Sequence, residues 1–202
     1  NCPILKKLER ELSIYLGVKY VLGVTNATIG LMIALEALHE EGSILTTRFS
    51  FPATMNSICM IGADLFYCDT LKNSPNVCLE SLEDKIINNK SISTVLLPNL
   101  WSTVNNVDDI KFLANNYNLA LLYDSSQAFS CSYNGKKISS NGDAEVFSFH
   151  ATKLITGFEG GCITTNNRSL YEKFIHIRSI NDKNRYVSME SKIANGMMSE
   201  LQ

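Results

Sequence analysis

Metal sites, nucleotide loops and membrane spans all lack sequence support in this 202-residue chain. Six cysteines are scattered without a C-x-x-C pair and three histidines lie far apart, so the spacing of metal ligands is missing. Neither G-x-x-x-x-G-K-[ST] nor G-x-G-x-x-G occurs, which excludes the usual glycine-rich nucleotide loops. No run approaches the ~18 apolar residues of a bilayer-spanning helix. We therefore expect neither a metal ion nor a membrane as a partner.

The composition is that of a globular protein with little net charge. Apolar residues make up 45% and charged residues 19% of the chain, which is enough apolar material for a real core. A net charge of −2 gives no basic field, so nucleic acid is not an expected partner. The scattered cysteines indicate reduced thiols in a cytoplasmic protein, most of them packed as small apolar groups. The chain starts without an initiator methionine or a signal peptide's apolar core, and the missing methionine predicts a fragment.

Short apolar segments alternate with segments of helical periodicity along the chain. The predicted strands are KYVLGV, GSILTT, DLFYCD, STVLLP, LALLYD, AEVFSF and GCITT. The predicted helices are NATIGLMIALEAL, TMNSICMIG, LESLEDKII and VDDIKFLANNY. Strands separated by helices imply crossovers, hence an α/β fold with a mostly parallel sheet covered by helices on both faces. Because such sheets bind ligands beyond the carboxyl ends of their strands, the residues after each strand are the candidates for a site.

The residues after the first predicted strand form a candidate anion site. Asn26 is a natural N-cap, and the helix that it opens presents free backbone N–H groups and the positive end of the helix dipole. Thr28 adds a hydroxyl to this site. An ordinary helix cap explains the same residues, so both alternatives stay open here.

Two further strand ends carry candidate residues. Asp124 ends a buried apolar strand, where a carboxylate is costly unless it meets a cation or several donors. An N-cap of a following helix is the alternative, and the two roles can coexist. Phe51, in TTRFSFPAT, supplies an aromatic face near another strand end, with plain core packing as the alternative.

The segment FSFHATKLITGFEGG, residues 147–161, runs from a strand into a lysine flanked by hydroxyls. A solvated lysine explains Lys153 if it is considered alone. Together, however, an anion site, an aromatic face, a carboxylate and a lysine match the needs of pyridoxal 5'-phosphate. The lysine would react with the cofactor's aldehyde, and the carboxylate would keep the ring nitrogen protonated so that the ring withdraws electrons.

These motifs, in this order, resemble the DegT/StrS-type sugar aminotransferases, a pyridoxal-phosphate family with the type I aminotransferase fold. NATIGLMIAL resembles the family's phosphate turn, which places Ala27 (a glycine in the family) and Thr28 at the phosphate. FSFPAT is similar to the segment with the ring-stacking aromatic, which implies that role for Phe51.

The later motifs complete the resemblance. YDSSQAF implies that Asp124 pairs with the pyridine nitrogen and that Gln127 contacts the ring hydroxyl. FSFHATK implies phosphate binding by Ser148 and covalent attachment of the cofactor by Lys153. ANGMMSELQ resembles the segment whose asparagine, here Asn195, reaches the phosphate of the neighbouring subunit, which implies a homodimer.

The chain departs from the family's pattern at three positions. Met197 stands where a basic residue is usual. In LPNLWST, Asn99 replaces a histidine and Ser102 replaces a glycine. The resemblance spans residues 1–202 almost end to end and implies the pyridoxal-phosphate-binding large domain, without the small C-terminal domain that completes the substrate cleft.

The resemblance implies a nucleotide-sugar aminotransferase that moves an amino group from glutamate to a keto-deoxy sugar on a nucleoside diphosphate. Lys153 would hold the cofactor and then act as the base that shuttles a proton. The segment FHATK resembles that of members that act on thymidine-diphosphate keto sugars.

One alternative is a sugar dehydratase of the same family, although dehydratases carry histidine at the lysine position. Another is an inactive truncated copy or a regulatory cofactor-binding protein. His150 either faces the substrate or packs against a backbone partner.

Overall fold

The computed structural model describes residues 3–178 and 196–199. The helices in these residues are α1 (Pro3–Leu16), α2 (Ala27–Leu38), α3 (Pro52–Met60), α4 (Leu79–Asn88), α5 (Val107–Asn116) and α6 (Arg168–Arg178). The strands are β1 (Tyr20–Val24), β2 (Ser43–Thr47), β3 (Asp64–Cys68), β4 (Ile92–Pro98), β5 (Ala120–Asp124), β6 (Ser132–Tyr133), β7 (Lys136–Lys137), β8 (Ala144–Ser148) and β9 (Gly161–Thr165). Every strand and helix that the sequence pattern predicts is present.

A seven-stranded sheet in the order β1-β9-β8-β5-β4-β2-β3 forms the centre of the fold. The pairs β3–β2, β2–β4, β4–β5 and β5–β8 are parallel, whereas β9 runs antiparallel to both of its neighbours. The predicted mostly parallel sheet is therefore confirmed. The antiparallel strand arises because β8 connects to β9 through a loop, which lets the chain turn straight back.

Alternate apolar side chains of the strands pack into two separate cores, one on each face of the sheet. On one face, Leu122 of β5 packs with α2, whose residues from Leu31 to Leu35 are almost fully buried. On the other face, Leu121 and Tyr123 of β5 pack against α4 and α5. Helices therefore cover both faces of the sheet, as predicted.

Three elements lie outside the predicted ones, namely α1, α6 and the short β6–β7 hairpin. Helix α1 buries one apolar stripe through Leu5, Leu12 and Leu16, in a third cluster that contains Phe147 of β8. In the part of the chain that the structure describes, no helix is both long and apolar enough to cross a bilayer.

The cysteines of the described residues are unpaired, in agreement with the predicted reduced thiols. Cys68 and Cys162 are buried, but Cys59 is exposed and two others are half-buried. Cys68 and Cys162 belong to apolar clusters and Cys131 packs against one, so three of the five described cysteines pack as small apolar groups, as predicted. Cys59 lies on the outer side of the short helix α3, which buries few of its residues.

The carboxyl ends of six strands lie at one edge of the sheet. Strands β2, β3, β4, β5 and β8 run in the same direction. Strand β1 shares that direction, because β1 and β8 both pair antiparallel with β9. The segments that follow these strands therefore lie side by side, which is the arrangement that a ligand site in such a sheet requires.

Candidate active site

A cavity of about 500 Å³ lies at this edge of the sheet. Seven of the residues that the sequence predicts for the site line it: Ala27, Thr28, Phe51, Asp124, Gln127, Ser148 and Lys153. The eighth, Asn195, lies outside the described residues. The structure thus brings together side chains that are more than 120 positions apart in sequence, because each one follows a strand that ends at the same edge.

The amino end of α2 points its first turn at the cavity. Asn26 caps the helix, and its side chain accepts a 2.9 Å hydrogen bond from the Ile29 N–H. The cap is compatible with the predicted anion site, since capping one N–H leaves other first-turn N–H groups without an intrahelical acceptor. Gly161 of β9 makes this close packing possible, because a Cβ there would lie 3.0 Å from the Ala27 nitrogen and 2.6 Å from the Phe147 carbonyl oxygen.

Asp124 is buried at the base of the cavity, with 5% of its surface exposed. The Thr54 hydroxyl donates to Oδ2 at 2.7 Å, and the Ser126 N–H donates to Oδ1 at 3.1 Å. The alternative role of Asp124 as a helix N-cap is wrong, because the residues after β5 form turns rather than a helix. Both hydrogen bonds come from neutral donors, so they orient the carboxylate without neutralising its charge.

Phe51 and Lys153 face each other across the cavity. The Lys153 Nζ lies 5.9 Å from the centre of the Phe51 ring, at the limit of a cation–π contact. Core packing does not explain Phe51, whose surface is 58% exposed. Lys153 is half-buried, and its N–H donates to the His150 carbonyl at 2.9 Å, which closes a tight turn. The Lys153 side chain lines the cavity.

The side chain of Gln127 is oriented by a turn from the neighbouring strand. The Trp101 N–H donates to Gln127 Oε1 at 3.0 Å, which leaves the Gln127 amide nitrogen as the donor for the cavity. Trp101 and Ser102 both adopt left-handed backbone conformations, with φ of 51° and 60°. A left-handed residue at 102 explains why the family prefers glycine there. In this chain the Ser102 hydroxyl donates to the Gln127 carbonyl at 3.1 Å.

Asn99, which replaces the family's histidine, is fixed by a buried polar network. Its amide nitrogen donates to Ser125 Oγ at 2.9 Å, and its oxygen accepts from the backbone and side chain of Asn105 at 3.1 and 3.0 Å. The Ser125 hydroxyl in turn donates to Glu145 Oε1 at 2.5 Å. Asn99 lines the cavity, so this network fixes one wall of the site.

Glu145 is the most unusual member of that network, because it lies in the middle of β8 with no solvent exposure. Burial raises the pKa of its carboxyl group to about 7, although the Ser125 hydrogen bond opposes the shift. Sequence analysis missed Glu145, Ser125 and Thr54. An acidic residue inside the strand AEVFSF was the available signal for Glu145; a buried threonine in an apolar helix gives none.

His150 lines the cavity beside Lys153 and is exposed. Its Nδ1 accepts from the Thr152 N–H at 3.4 Å and lies 3.0 Å from the Thr152 hydroxyl. Its Nε2 lies 3.5 Å from Glu159 Oε1. Of the two alternatives for this residue, the backbone partner is present in the Thr152 N–H, but the ring is exposed and lines the cavity rather than being packed away from it.

The DegT/DnrJ/EryC1/StrS aminotransferase family model matches residues 2–202. The UDP-4-amino-4,6-dideoxy-N-acetyl-beta-L-altrosamine transaminase of Campylobacter jejuni (strain 81-176) is 36% identical over 175 residues, 86% of this chain and 46% of that protein. The dTDP-4-amino-4,6-dideoxy-D-glucose transaminase of Shigella dysenteriae is 31% identical over 205 residues, 100% of this chain and 54% of that protein.

Solved structures agree with the sequence relatives. DesI, determined in the presence of its TDP-sugar product, matches with a TM-score of 0.91 and 27% identity over 100% of this chain and 50% of its own. Helicobacter pylori PseC, an aminotransferase in the biosynthesis of pseudoaminic acid, matches with a TM-score of 0.83 and 29% identity. The match covers 97% of this chain and 52% of PseC. The chain spans about half the length of these relatives. With the family match covering almost every residue and the fold agreeing, the chain belongs to the DegT/DnrJ/EryC1/StrS aminotransferase family.

Proposed function

We propose that this chain is the pyridoxal-phosphate-binding part of a nucleotide-sugar aminotransferase, which transfers an amino group from glutamate to a keto-deoxy sugar nucleotide. One observation carries the proposal: Lys153, Asp124 and the amino end of α2 converge on a single cavity. Residues 1–202 correspond in this proposal to the large domain of the family.

The buried carboxylate of Asp124 fits the cofactor. Among the described residues its hydrogen-bond donors are the neutral groups of Thr54 and Ser126. A buried carboxylate held by neutral donors alone is incompletely compensated. The protonated ring nitrogen of pyridoxal 5'-phosphate supplies the missing cation, so the cofactor and the site complete each other.

The remaining lining groups fit the other parts of the same molecule. The first turn of α2, with Thr28, and the Ser148 hydroxyl suit a phosphate. The exposed face of Phe51 suits a flat ring. The free amide nitrogen of Gln127 suits a ring oxygen as acceptor.

The chain's own residues then have distinct tasks. When bound, the cofactor supplies an electron-withdrawing ring that stabilises negative charge at the substrate carbon. Asp124 would hold the proton on the ring nitrogen, and Thr54 orients Asp124. Lys153 Nζ would hold the cofactor before the substrate arrives and would then act as the base that moves a proton at the substrate carbon.

Relatives support the substrate class. The two transaminases compared above are named for UDP-linked and dTDP-linked 4-amino-4,6-dideoxy sugars. The dehydratase alternative has a structural counterpart, GDP-4-keto-6-deoxymannose-3-dehydratase, which matches with a TM-score of 0.81 at 25% identity. Lys153 favours transamination, because the dehydratases resembled here carry histidine at that position.

A homodimer and a cytoplasmic location belong to the same proposal. Large apolar side chains stand exposed around the cavity: Phe51 at 58%, Trp101 at 66%, Leu154 at 76% and Phe158 at 82%. Such a concentration of apolar surface is typical of a region that another chain or domain covers. Sedimentation of the full-length protein with and without cofactor tests the dimer, because a shared site links cofactor binding to assembly.

The proposal is tested on the full-length protein by adding pyridoxal 5'-phosphate and recording its absorbance spectrum. We expect a band of the lysine-bound cofactor that bleaches on adding glutamate and returns on adding a dTDP- or UDP-linked keto sugar, with an amino sugar nucleotide detected by mass spectrometry. Absence of any band would favour the inert copy. A deoxygenated sugar product without amination would establish the dehydratase.

A further inference from the structure

We propose that His150 and Glu159 form a hydroxyl-binding pair that holds the sugar ring of the substrate beside Lys153. The assignment rests on the proposed aminotransferase function and adds to it the part of the substrate that these side chains contact. No role for Glu159 follows from the strand-end motifs, and His150 is left open by them.

His150 and Glu159 lie in the loop between β8 and β9, close to the end of the ladder. The last pair of the β8–β9 ladder is Ser148 with Gly161. The Phe149 N–H donates to the Gly160 carbonyl at 2.9 Å, and the Ala151 N–H donates to the Phe158 carbonyl at 3.0 Å.

These two bonds join the segments that carry His150 and Glu159, and His150 Nε2 lies 3.5 Å from Glu159 Oε1. Ser148, His150 and Glu159 all line the cavity. The backbone bonds of the loop therefore hold the pair next to the candidate cofactor site.

Two contacts surround the His150 ring: Nδ1 lies against Thr152, and Nε2 faces Glu159. When Nδ1 accepts from the Thr152 N–H, the proton is on Nε2, which is then a donor beside the Glu159 carboxylate. The distance of 3.5 Å from Nε2 to Glu159 Oε1 is longer than a good N–H···O hydrogen bond. His150 Nε2 and the Glu159 carboxylate therefore place an N–H donor and an acceptor side by side in the cavity.

A hydroxyl group matches this pair, because it donates and accepts at once. It can donate to Glu159 and accept from His150 Nε2. The carboxylates of glutamate and the diphosphate of a nucleotide are acceptors only, and they are repelled by the negative charge of Glu159. Glu159 is 53% exposed in its side chain, so its oxygens are accessible to a ligand. Among the substrates of the proposed reaction, neutral hydroxyls occur on the sugar ring and on the nucleotide's ribose, and free nucleotide as a probe separates the two.

The test measures binding to the full-length protein loaded with cofactor, by calorimetry. The probes are dTDP-4-keto-6-deoxy-D-glucose and its UDP-linked counterpart, with free dTDP and UDP as references that lack the sugar. The variants are Glu159→Gln and His150→Asn, and Glu172→Gln is the matched control. Glu172 forms an exposed pair with Arg168 on α6, away from the cavity.

We expect Glu159→Gln to bind the keto sugar nucleotide about 10- to 100-fold more weakly, the effect of one lost hydrogen bond to a charged group, and His150→Asn about 2- to 10-fold more weakly, the effect of one lost hydrogen bond between neutral groups. Binding of the free nucleotide, the cofactor spectrum and the rate of the glutamate half-reaction should stay within about twofold of wild type, as for Glu172→Gln. In turnover, KM for the sugar nucleotide should rise while kcat changes less.

Other outcomes overturn the inference separately from the proposed function. An equal loss for sugar nucleotide and free nucleotide would place the pair at the nucleotide, and an equal loss in the glutamate half-reaction would place it at the amino donor. If binding of the sugar nucleotide is unchanged, His150 and Glu159 only contact each other within the loop and do not bind the sugar. A wild-type protein that neither binds nor aminates a sugar nucleotide would instead remove the proposed function, and the pair's role with it.

Discussion

The Thr54 hydroxyl donates a 2.7 Å hydrogen bond to Asp124 Oδ2, and this bond joins helix α3 to the end of strand β5 at the base of the cavity. Both residues are buried, at 0% and 5% exposure. The same helix begins directly after Phe51, so a single element holds the aromatic face and orients the carboxylate.

Replacing Thr54 with valine keeps the side chain's shape and removes this donor. Because a hydrogen bond to a charged group contributes about 1.5–3 kcal/mol, we expect Thr54→Val to slow the glutamate half-reaction about tenfold or more. Stopped-flow absorbance on the cofactor-loaded full-length protein measures the rate of this half-reaction. Thr54→Ser retains the hydroxyl and serves as the matched control. Equal rates in the valine and serine variants would show that the bond does not orient Asp124.

Asp124→Asn tests the charge at the same point. The amide preserves size but cannot hold the proton on the ring nitrogen, so the electron-withdrawing power of the ring is lost. We expect cofactor binding to persist in part while the half-reaction with glutamate falls severely. Equilibrium titration and single-turnover rates separate the two effects. An asparagine variant that transaminates at nearly the wild-type rate would remove Asp124 from the mechanism.

Lys153→Ala should abolish the covalent attachment of the cofactor. Reduction of the loaded wild-type protein with borohydride, followed by peptide mass spectrometry, should find the cofactor on the peptide that contains Lys153. Lys137 offers a control: its Nζ contacts Tyr15 and Ser130, outside the cavity, so Lys137→Ala should retain the adduct. A reduced adduct on another lysine in the Lys153 variant would refute the assignment.

The sequence predicted the sheet and the placement of the site better than it predicted the contacts within the site. Strand ends could be predicted because buried strands such as LALLYD are short apolar runs, and parallel strands bring their carboxyl ends together. Thr54 and Ser125 were missed because their roles depend on partners 70 and 20 residues away in sequence. Local pattern carries no information about such pairs.

The contact between His150 and Glu159 shows the same limit. The two residues face each other only because β9 returns antiparallel to β8, with Ser148 opposite Gly161. The sequence gives two apolar strands with a loop between them, but not the register of their pairing. The choice between a packed and a cavity-facing His150 therefore needed the structure.

The left-handed backbone of Ser102 leads to a prediction about stability. A non-glycine residue at positive φ costs about 1 kcal/mol, which glycine avoids. Ser102→Ala loses the hydroxyl bond to Gln127 and keeps the strain, whereas Ser102→Gly loses the bond and relieves the strain. We expect the glycine variant to have a free energy of unfolding about 1 kcal/mol above that of the alanine variant. Urea denaturation of both measures the difference, and an alanine variant as stable as the glycine variant would contradict it.

Glu145 leads to a prediction about the pH dependence of stability. Burial raises the pKa of its carboxyl group to about 7 in the folded protein, from 4.5 when unfolded. Between these two values the unfolded chain loses the proton and the folded chain keeps it, so the folded state binds more protons. The free energy of unfolding must then fall as pH rises from about 4.5 to 7 and level off above, by an amount on the order of 3 kcal/mol.

Glu145→Gln isolates this contribution from those of other carboxylates. Glutamine stays neutral at every pH and can still accept from the Ser125 hydroxyl, which donates at 2.5 Å in the wild-type chain. We expect the variant to lose less stability than wild type between pH 5 and pH 7. Urea denaturation at several pH values measures both curves, with Glu172→Gln as an exposed control whose curve should parallel wild type. If the curves of wild type and Glu145→Gln are parallel, Glu145 is not protonated in the folded protein at neutral pH, and the network from Ser125 to Asn99 is held by a buried carboxylate ion instead.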